Sequence, residues 1–234
     1  MTRSDAHACV PHRMHSAQKD DCDNRGMSAQ SALPRHRPVG YAVWLIVASV
    51  VGWWAAFQLT LDKFEVLEHP KAALGCDISA FVQCGANLES WQGSVFGFPN
   101  PIIGLTGWMA PLVVGVAILA GARFPRWFWA LFGLGITGAF VFICWLIGQS
   151  FFDLHTLCPW CALTYVVVIP TFFATMLQLF ANGTFPISRS AQQRAQGMGV
   201  WVPLASILAF AVIVLLAQSA GVDLIGEVIR LVRG

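Results

Sequence analysis

Apolar residues in this chain are gathered into long unbroken runs, with the polar ones collected in the segments between them. Five runs stand out: Tyr41–Leu61, Ile102–Ala122, Trp127–Ile147, Ala162–Ala181 and Val200–Ala217. About 20 apolar residues cross a bilayer as a helix. A backbone in lipid must also satisfy its own hydrogen bonds, so each run predicts a transmembrane helix rather than a strand. The expected fold class is therefore all-α, an integral membrane bundle of five helices. Pro111, Pro170 and Pro203 lie in or near helix interiors and predict kinks there.

The segment Asp62–Pro101 is too patterned to be a plain connector. Ile78, Phe81, Val82, Leu88 and Trp91 alternate with polar residues. That pattern predicts a short amphipathic helix around Ser79–Trp91, capping the bundle or lying at the interface. Gly93, Gly97, Pro99 and Pro101 then break regular structure before the second run. Residues 1–39, dominated by His, Arg, Ser and Asp, read as a disordered tail. Residues 40–220 read as the transmembrane domain and 221–234 as a short tail. Nearly forty residues before the first run are too many for an ordinary cleavable signal peptide.

Composition agrees with this reading. The chain is 56% hydrophobic and 11% charged, against about a quarter charged in soluble domains. A net charge of +2, with no basic patch, gives no footprint for nucleic acid. The charges also orient the bundle. Arg3, Arg13, Lys19, Arg25, Arg35 and Arg37 precede the first run, Arg123 and Arg126 join the second to the third, and Arg189 and Arg194 join the fourth to the fifth. The segment after the first run carries Asp62, Glu65, Glu68, Asp77 and Glu89 against Lys63 and Lys71. The positive-inside rule predicts a cytoplasmic N-terminus and an extracytoplasmic C-terminus in the plasma membrane. The five span cores hold no charged residue, which argues against an ion or proton pathway.

Candidate chemistry lies in four cysteines that this orientation places on one side. Cys76 and Cys84 sit in the first outer segment, and Cys158-Pro159-Trp160-Cys161 opens the fourth run. A C-x-x-C brings two sulfurs within reach of each other over one helical turn. A second pair on the same side suggests thiol–disulfide exchange between them. Two inert structural disulfides and a four-thiolate zinc site are the alternatives, although C-x7-C is wide for a zinc knuckle. At the start of a helix, Cys158 would feel the exposed N–H groups and the macrodipole, both favouring a thiolate. Pro159 suits the first turn. Tyr165 continues the face of Cys158 and Cys161. His155 and Asp153, just before Cys158, are candidates for proton delivery. Cys144 reads as a small buried hydrophobe. Cys9 and Cys22, with His7, His12 and His15, read as incidental residues of the tail, and no metal is expected. Trp53, Trp54, Trp127 and Trp129 read mainly as interface anchors.

The combined pattern Cys76-x7-Cys84, Ser90, Phe96-Gly97-Phe98-Pro99-Asn100-Pro101 and Cys158-x-x-Cys161 with Tyr165 resembles bacterial homologues of vitamin K epoxide reductase. The similarity runs from Tyr41 to Ala181. It implies a four-helix bundle around a quinone near the outer membrane face, with the fifth helix an addition. It further implies that Cys76 and Cys84 take electrons from a thioredoxin-like partner and pass them to Cys158 and Cys161. That second pair then reduces the quinone, menaquinone or ubiquinone. Ser90, Asn100 and Tyr165 match positions that hold the quinone. Only Gly221–Gly234 follows the fifth run, so the thioredoxin-like disulfide oxidant is expected to be a separate extracytoplasmic protein. Reduction of vitamin K epoxide itself and a non-enzymatic scaffold are the competing functions.

Overall fold

The computed structural model describes residues 38–69, 73–79, 81–185, 188–221, 226 and 229. Among them every regular element is a helix. The long elements are α1 (Val39–Glu68), α5 (Arg126–Phe152), α6 (Pro159–Ala181) and α8 (Trp201–Ser219). The short ones are α2 (Gly85–Glu89), the pair α3 (Pro101–Gly107) and α4 (Met109–Leu119), and α7 (Arg189–Gly197). Among the described residues five helices or helix pairs are long and apolar enough to cross a membrane, as the runs predict. The helices overrun the predicted spans where polar residues follow: α1 continues to Glu68 and α5 to Phe152. The tail 1–37, with Cys9, Cys22 and its histidines, lies outside the described residues, as do Lys71 and residues 222–225.

α1 is the central helix, packing against α4, α6 and α3. Its buried face is Ala42, Leu45, Ala48, Ser49, Gly52, Ala55, Ala56 and Leu59, a stripe at three- and four-residue spacing. Most of these side chains are small, which lets helices approach closely where lipid offers no hydrophobic drive between them. The fit is tight from both sides. A methyl group on Gly52 would collide with the Trp108 indole, and one on Gly115 would sit 2.8 Å from the Ala42 carbonyl. At the other end of the bundle Trp129 packs with Leu45, Val114, Ile118 and Leu179. It meets Phe124 edge-on at 5.9 Å between ring centroids. Trp129 is thus a core residue and not an interface anchor, whereas Trp54 and Trp127 are exposed.

The helix ends follow local chemistry. Pro125 and Pro38 stand just before α5 and α1. The second and fourth spans end in paired turns of one design. Gly121 takes φ +92° and Gly183 φ +66°, conformations that cost other residues a Cβ clash. The following N–H groups of Ala122 and Thr184 return to the carbonyls of Ala117 and Leu179. Of the expected kinks, one is seen as a break. The second span is interrupted at Trp108, just before Pro111, whose missing N–H cannot serve the Gly107 carbonyl. Pro170 lies inside an uninterrupted α6, and Pro203 falls in the first turn of α8, where its missing N–H costs nothing. Cys144 is exposed on the outer surface of α5 rather than buried, because the α5 face toward the bundle is taken by Ile143, Ile147 and Phe151.

The amphipathic helix expected around Ser79–Trp91 is cut down to the five residues of α2, followed by a 3-10 turn at Trp91–Ser94. Competing bonds hold the preceding chain in another shape. Ile78 and Ser79 donate to the Val82 carbonyl, and Val82 pairs with Leu157 in an isolated parallel bridge. The connection before the fifth span holds α7, which sequence periodicity did not reveal.

Candidate active site

Two segments far apart in sequence meet through backbone hydrogen bonds. Gln83 N–H donates to the Leu157 carbonyl at 3.1 Å, and Leu157 N–H donates to the Phe81 carbonyl at 2.7 Å. One residue beyond each of Gln83 and Leu157 comes a cysteine. The stitch accordingly brings Cys84 Sγ to 3.4 Å from Cys158 Sγ, both sulfurs buried.

Cys76 and Cys84 form a disulfide, with Cα atoms 5.8 Å apart. Asp77 shapes the loop this bond closes. Its Oδ1 accepts from Cys84 N–H at 2.8 Å and Gly85 N–H at 3.3 Å, and its Oδ2 accepts from Leu74 N–H at 3.1 Å. Below the loop, Asp62 Oδ2 lies 3.4 Å from Cys76 Sγ. Asp62, Cys76 and Cys84 bring potential metal-ligand atoms within 4.8 Å of one another. The two sulfurs, however, are bonded to each other, which leaves neither as a thiolate ligand.

Cys158 and Cys161 are free thiols. Cys158 is the N-cap of α6, and its sulfur accepts from Cys161 N–H at 3.5 Å. A hydrogen bond from the Cys161 side chain, helped by the backbone N–H groups of Cys161 and Trp160, holds the Cys158 thiol below its ordinary pKa against the opposing effect of burial. The loop pair is thus a disulfide and the helix pair two free thiols.

Cys161 also faces the other way, into a cavity of about 750 Å³ among the first four spans. Ser90, Asn100 and Tyr165 line the same cavity. Four of the residues singled out from sequence thus line one cavity, and Cys76, Cys84 and Cys158 do not. The remaining lining is mainly apolar, with Phe132, Phe142 and Trp108 prominent, and Asn87, Gln92, Gln149 and Ser150 add polar groups. A large apolar pocket with a few convergent polar groups is the expected form of a site for a greasy ring. On α5 the lining face runs Leu131, Gly135, Gly138 and Phe142, at the spacing of one helix side. A Cβ on Gly135 or Gly138 would meet no atom within 4 Å, so these glycines leave room rather than close a contact.

The polar groups are held by a network that sequence did not disclose. Ser90 donates to the Asn87 carbonyl at 2.8 Å and accepts from Gly93 N–H at 3.3 Å. Asn100 donates to the Gln92 carbonyl at 2.6 Å and accepts from Val95 N–H at 3.2 Å. Gln92, buried, reaches Gln149 at 3.3 Å and also Asp153. Ser150 donates to Asn87 Oδ1 at 3.3 Å and is the hydrogen-bond partner of the Tyr165 hydroxyl. Asn87 in turn donates to Thr156 Oγ1 at 3.1 Å. His155 holds φ +53° in the turn before Cys158 and is exposed, and it does not line the cavity. The contributions of Asp62, Asp77, Asn87, Gln92 and Ser150 went unread in the sequence. The one local signal was Asp77 directly after Cys76, an aspartate placed to fold a turn onto its own backbone.

A family model described as the vitamin K epoxide reductase family matches residues 43–176, more than half of the chain. No curated protein and no solved structure matches it. The matched range takes in both cysteine pairs, the stitched turn between them and the cavity wall. The chain is therefore a multi-pass membrane protein that belongs to the vitamin K epoxide reductase family, whose members are quinone-linked thiol oxidoreductases.

Proposed function

We propose that this protein reoxidises a separate extracytoplasmic thioredoxin-like protein and passes the electrons to menaquinone or ubiquinone, so supporting disulfide formation outside the plasma membrane. The observation that carries this reading is the 3.4 Å approach of Cys84 to Cys158, with Cys161 on the opposite side of its pair facing the cavity. Two inert structural disulfides would need no such contact between pairs.

The steps balance as two-electron transfers. Cys158 and Cys161 give two electrons and two protons to the quinone and close a disulfide, leaving a quinol. Cys84 as thiolate attacks Cys158, forming a Cys84–Cys158 bond and releasing Cys161. Cys76 then attacks Cys84, closing the loop disulfide and releasing Cys158. The partner's dithiol reduces Cys76–Cys84 through a mixed disulfide at Cys76, and the cycle restarts. Asn100, with one amide hydrogen left over, is the donor for a quinone oxygen as charge develops on it, and Tyr165 becomes one when its hydroxyl turns from Ser150 to the quinone. Ser90 directs its own proton to Asn87, so it shapes the wall of the site through the loop.

The test follows quinone absorbance in detergent after adding a reduced thioredoxin-like oxidant. Turnover that disappears in Cys76→Ala and Cys161→Ala alike is the expected result. Turnover that survives both substitutions would refute the relay. A mixed disulfide trapped at Cys158 rather than Cys76 in Cys84→Ala would refute the order of steps.

A further inference from the structure

Asp62 is not part of the cavity, and the quinone chemistry makes no use of it. It sits toward the outer end of α1, half-buried, where a carboxylate serves no span. Its Oδ2 lies 3.4 Å from Cys76 Sγ, and Trp160, inside the C-x-x-C, is its hydrogen-bond partner. Lys63, its neighbour on α1, directs its ammonium to the Leu88 carbonyl at 2.6 Å instead. The other ionisable groups that bear on it are Asp77 from the loop and Cys158 from the start of α6.

We propose that Asp62 is a catalytic base, taking the proton from Cys76 as that thiol closes the loop disulfide. This rests on the relay order given above. At that step Cys84 is bonded to Cys158, and Cys76 must attack as a thiolate. The Cys76 S–H gives its proton to the Asp62 carboxylate, the new bond forms between Cys76 and Cys84, and the Cys84–Cys158 bond breaks. The electron pair leaves on Cys158, where the groups that lower its pKa receive it. The proton remains on Asp62 until solvent removes it. An ordinary thiol ionises at about pH 8.5, so an unassisted Cys76 is mostly protonated at neutral pH. A disulfide sulfur has no proton to share, so the carboxylate contact seen here becomes a hydrogen bond only when the pair is reduced. Run in reverse, the same carboxyl group returns a proton to the departing Cys76.

The experiment needs neither quinone nor partner. The full chain in detergent is oxidised with diamide at both pairs, given one equivalent of dithiothreitol, acid-quenched over time and mapped for disulfides. The readout is the rate at which the reduced state passes from the loop pair to Cys158 and Cys161. Asp62→Asn is expected to slow this passage about a hundredfold near pH 6.5, the low end of general-base effects. The deficit should vanish above about pH 8.5, where thiols ionise unaided, and Asp62→Glu should recover much of the rate. Equal rates for wild type and Asp62→Asn at pH 6.5 would overturn the proposal. So would a deficit that is constant across pH and not rescued by Glu, since that is the mark of a structural role. Absence of passage in the wild type would overturn it as well. Quinone reduction by pre-reduced protein is measured in parallel. If it is absent while passage is normal and Asp62-dependent, the quinone reading fails and the role of Asp62 stands.

Discussion

Cys158 shows how one residue can be tuned by its place on a helix. As N-cap of α6 it gathers an N–H and a neighbouring thiol onto its sulfur, so more of it is thiolate at neutral pH than of a free cysteine. The sign follows directly. Its exchange with Cys84 should hold as pH falls through the ordinary thiol pKa of about 8.5 and decline only below its own lowered value. Cys161→Ala removes the largest cause of that lowering. In this variant the Cys84–Cys158 bridge should form more slowly at pH 7 than in wild type and faster as pH rises. It should then persist once the released Cys76 is alkylated. Non-reducing peptide mapping across pH checks this, with quinone reduction expected at background. Unchanged pH dependence would mean that Cys161 does not tune its partner.

At the level of elements, the spans were legible because lipid allows the backbone one solution, and five apolar runs state it plainly. The four cysteines were legible too, since their spacing carries chemistry. Helical periodicity put Tyr165 on the face of Cys158 and Cys161, but its role there came only with the resemblance. What could not be read is where non-local bonds decide. The segment 79–84 has the alternation of an amphipathic helix, yet Val82 pairs with Leu157, more than seventy residues away, and Asp77 captures the amides of Cys84 and Gly85. Trp129 has the composition of an anchor and the position of a core residue, and only packing separates the two. The cavity was likewise invisible, because Gly135 and Gly138 matter through the space they leave. Gly138→Leu should fill part of that space, since a Cβ there meets no atom within 4 Å. Leu is a better helix former than Gly by up to about 1 kcal/mol, so thermal stability in detergent should not fall. Quinone turnover should drop about tenfold, equivalent to roughly 1.4 kcal/mol of lost binding, with dithiothreitol-driven exchange between the pairs intact. A full quinone rate would place the acceptor elsewhere.

For the whole molecule, orientation governs what the redox pairs can meet. The second and fourth spans both end in glycine turns, at Gly121 and Gly183, and Arg123 and Arg126 follow the first of them. These turns belong to the basic side, and the stitched cysteine segments belong to the other. A reporter active only outside the cell should therefore work when fused after Leu154 and stay silent after Gly121 or Gly183. Activity at Gly183 would put Cys158 and Cys161 in the cytosol and end the case for an extracytoplasmic oxidant.

The bridge between Val82 and Leu157 also bears on speed. A cysteine on a free loop must search for its target, and a loop of this length offers its ends to each other at millimolar effective concentration. Here two backbone hydrogen bonds hold the attacking and receiving sulfurs in van der Waals contact before any reaction begins. Oriented contact of this kind corresponds to effective molarities far above anything a tether supplies, up to about 10⁵ M and beyond. Electron passage inside the protein should then be fast compared with docking, and the pace of the cycle is left to whatever arrives from outside.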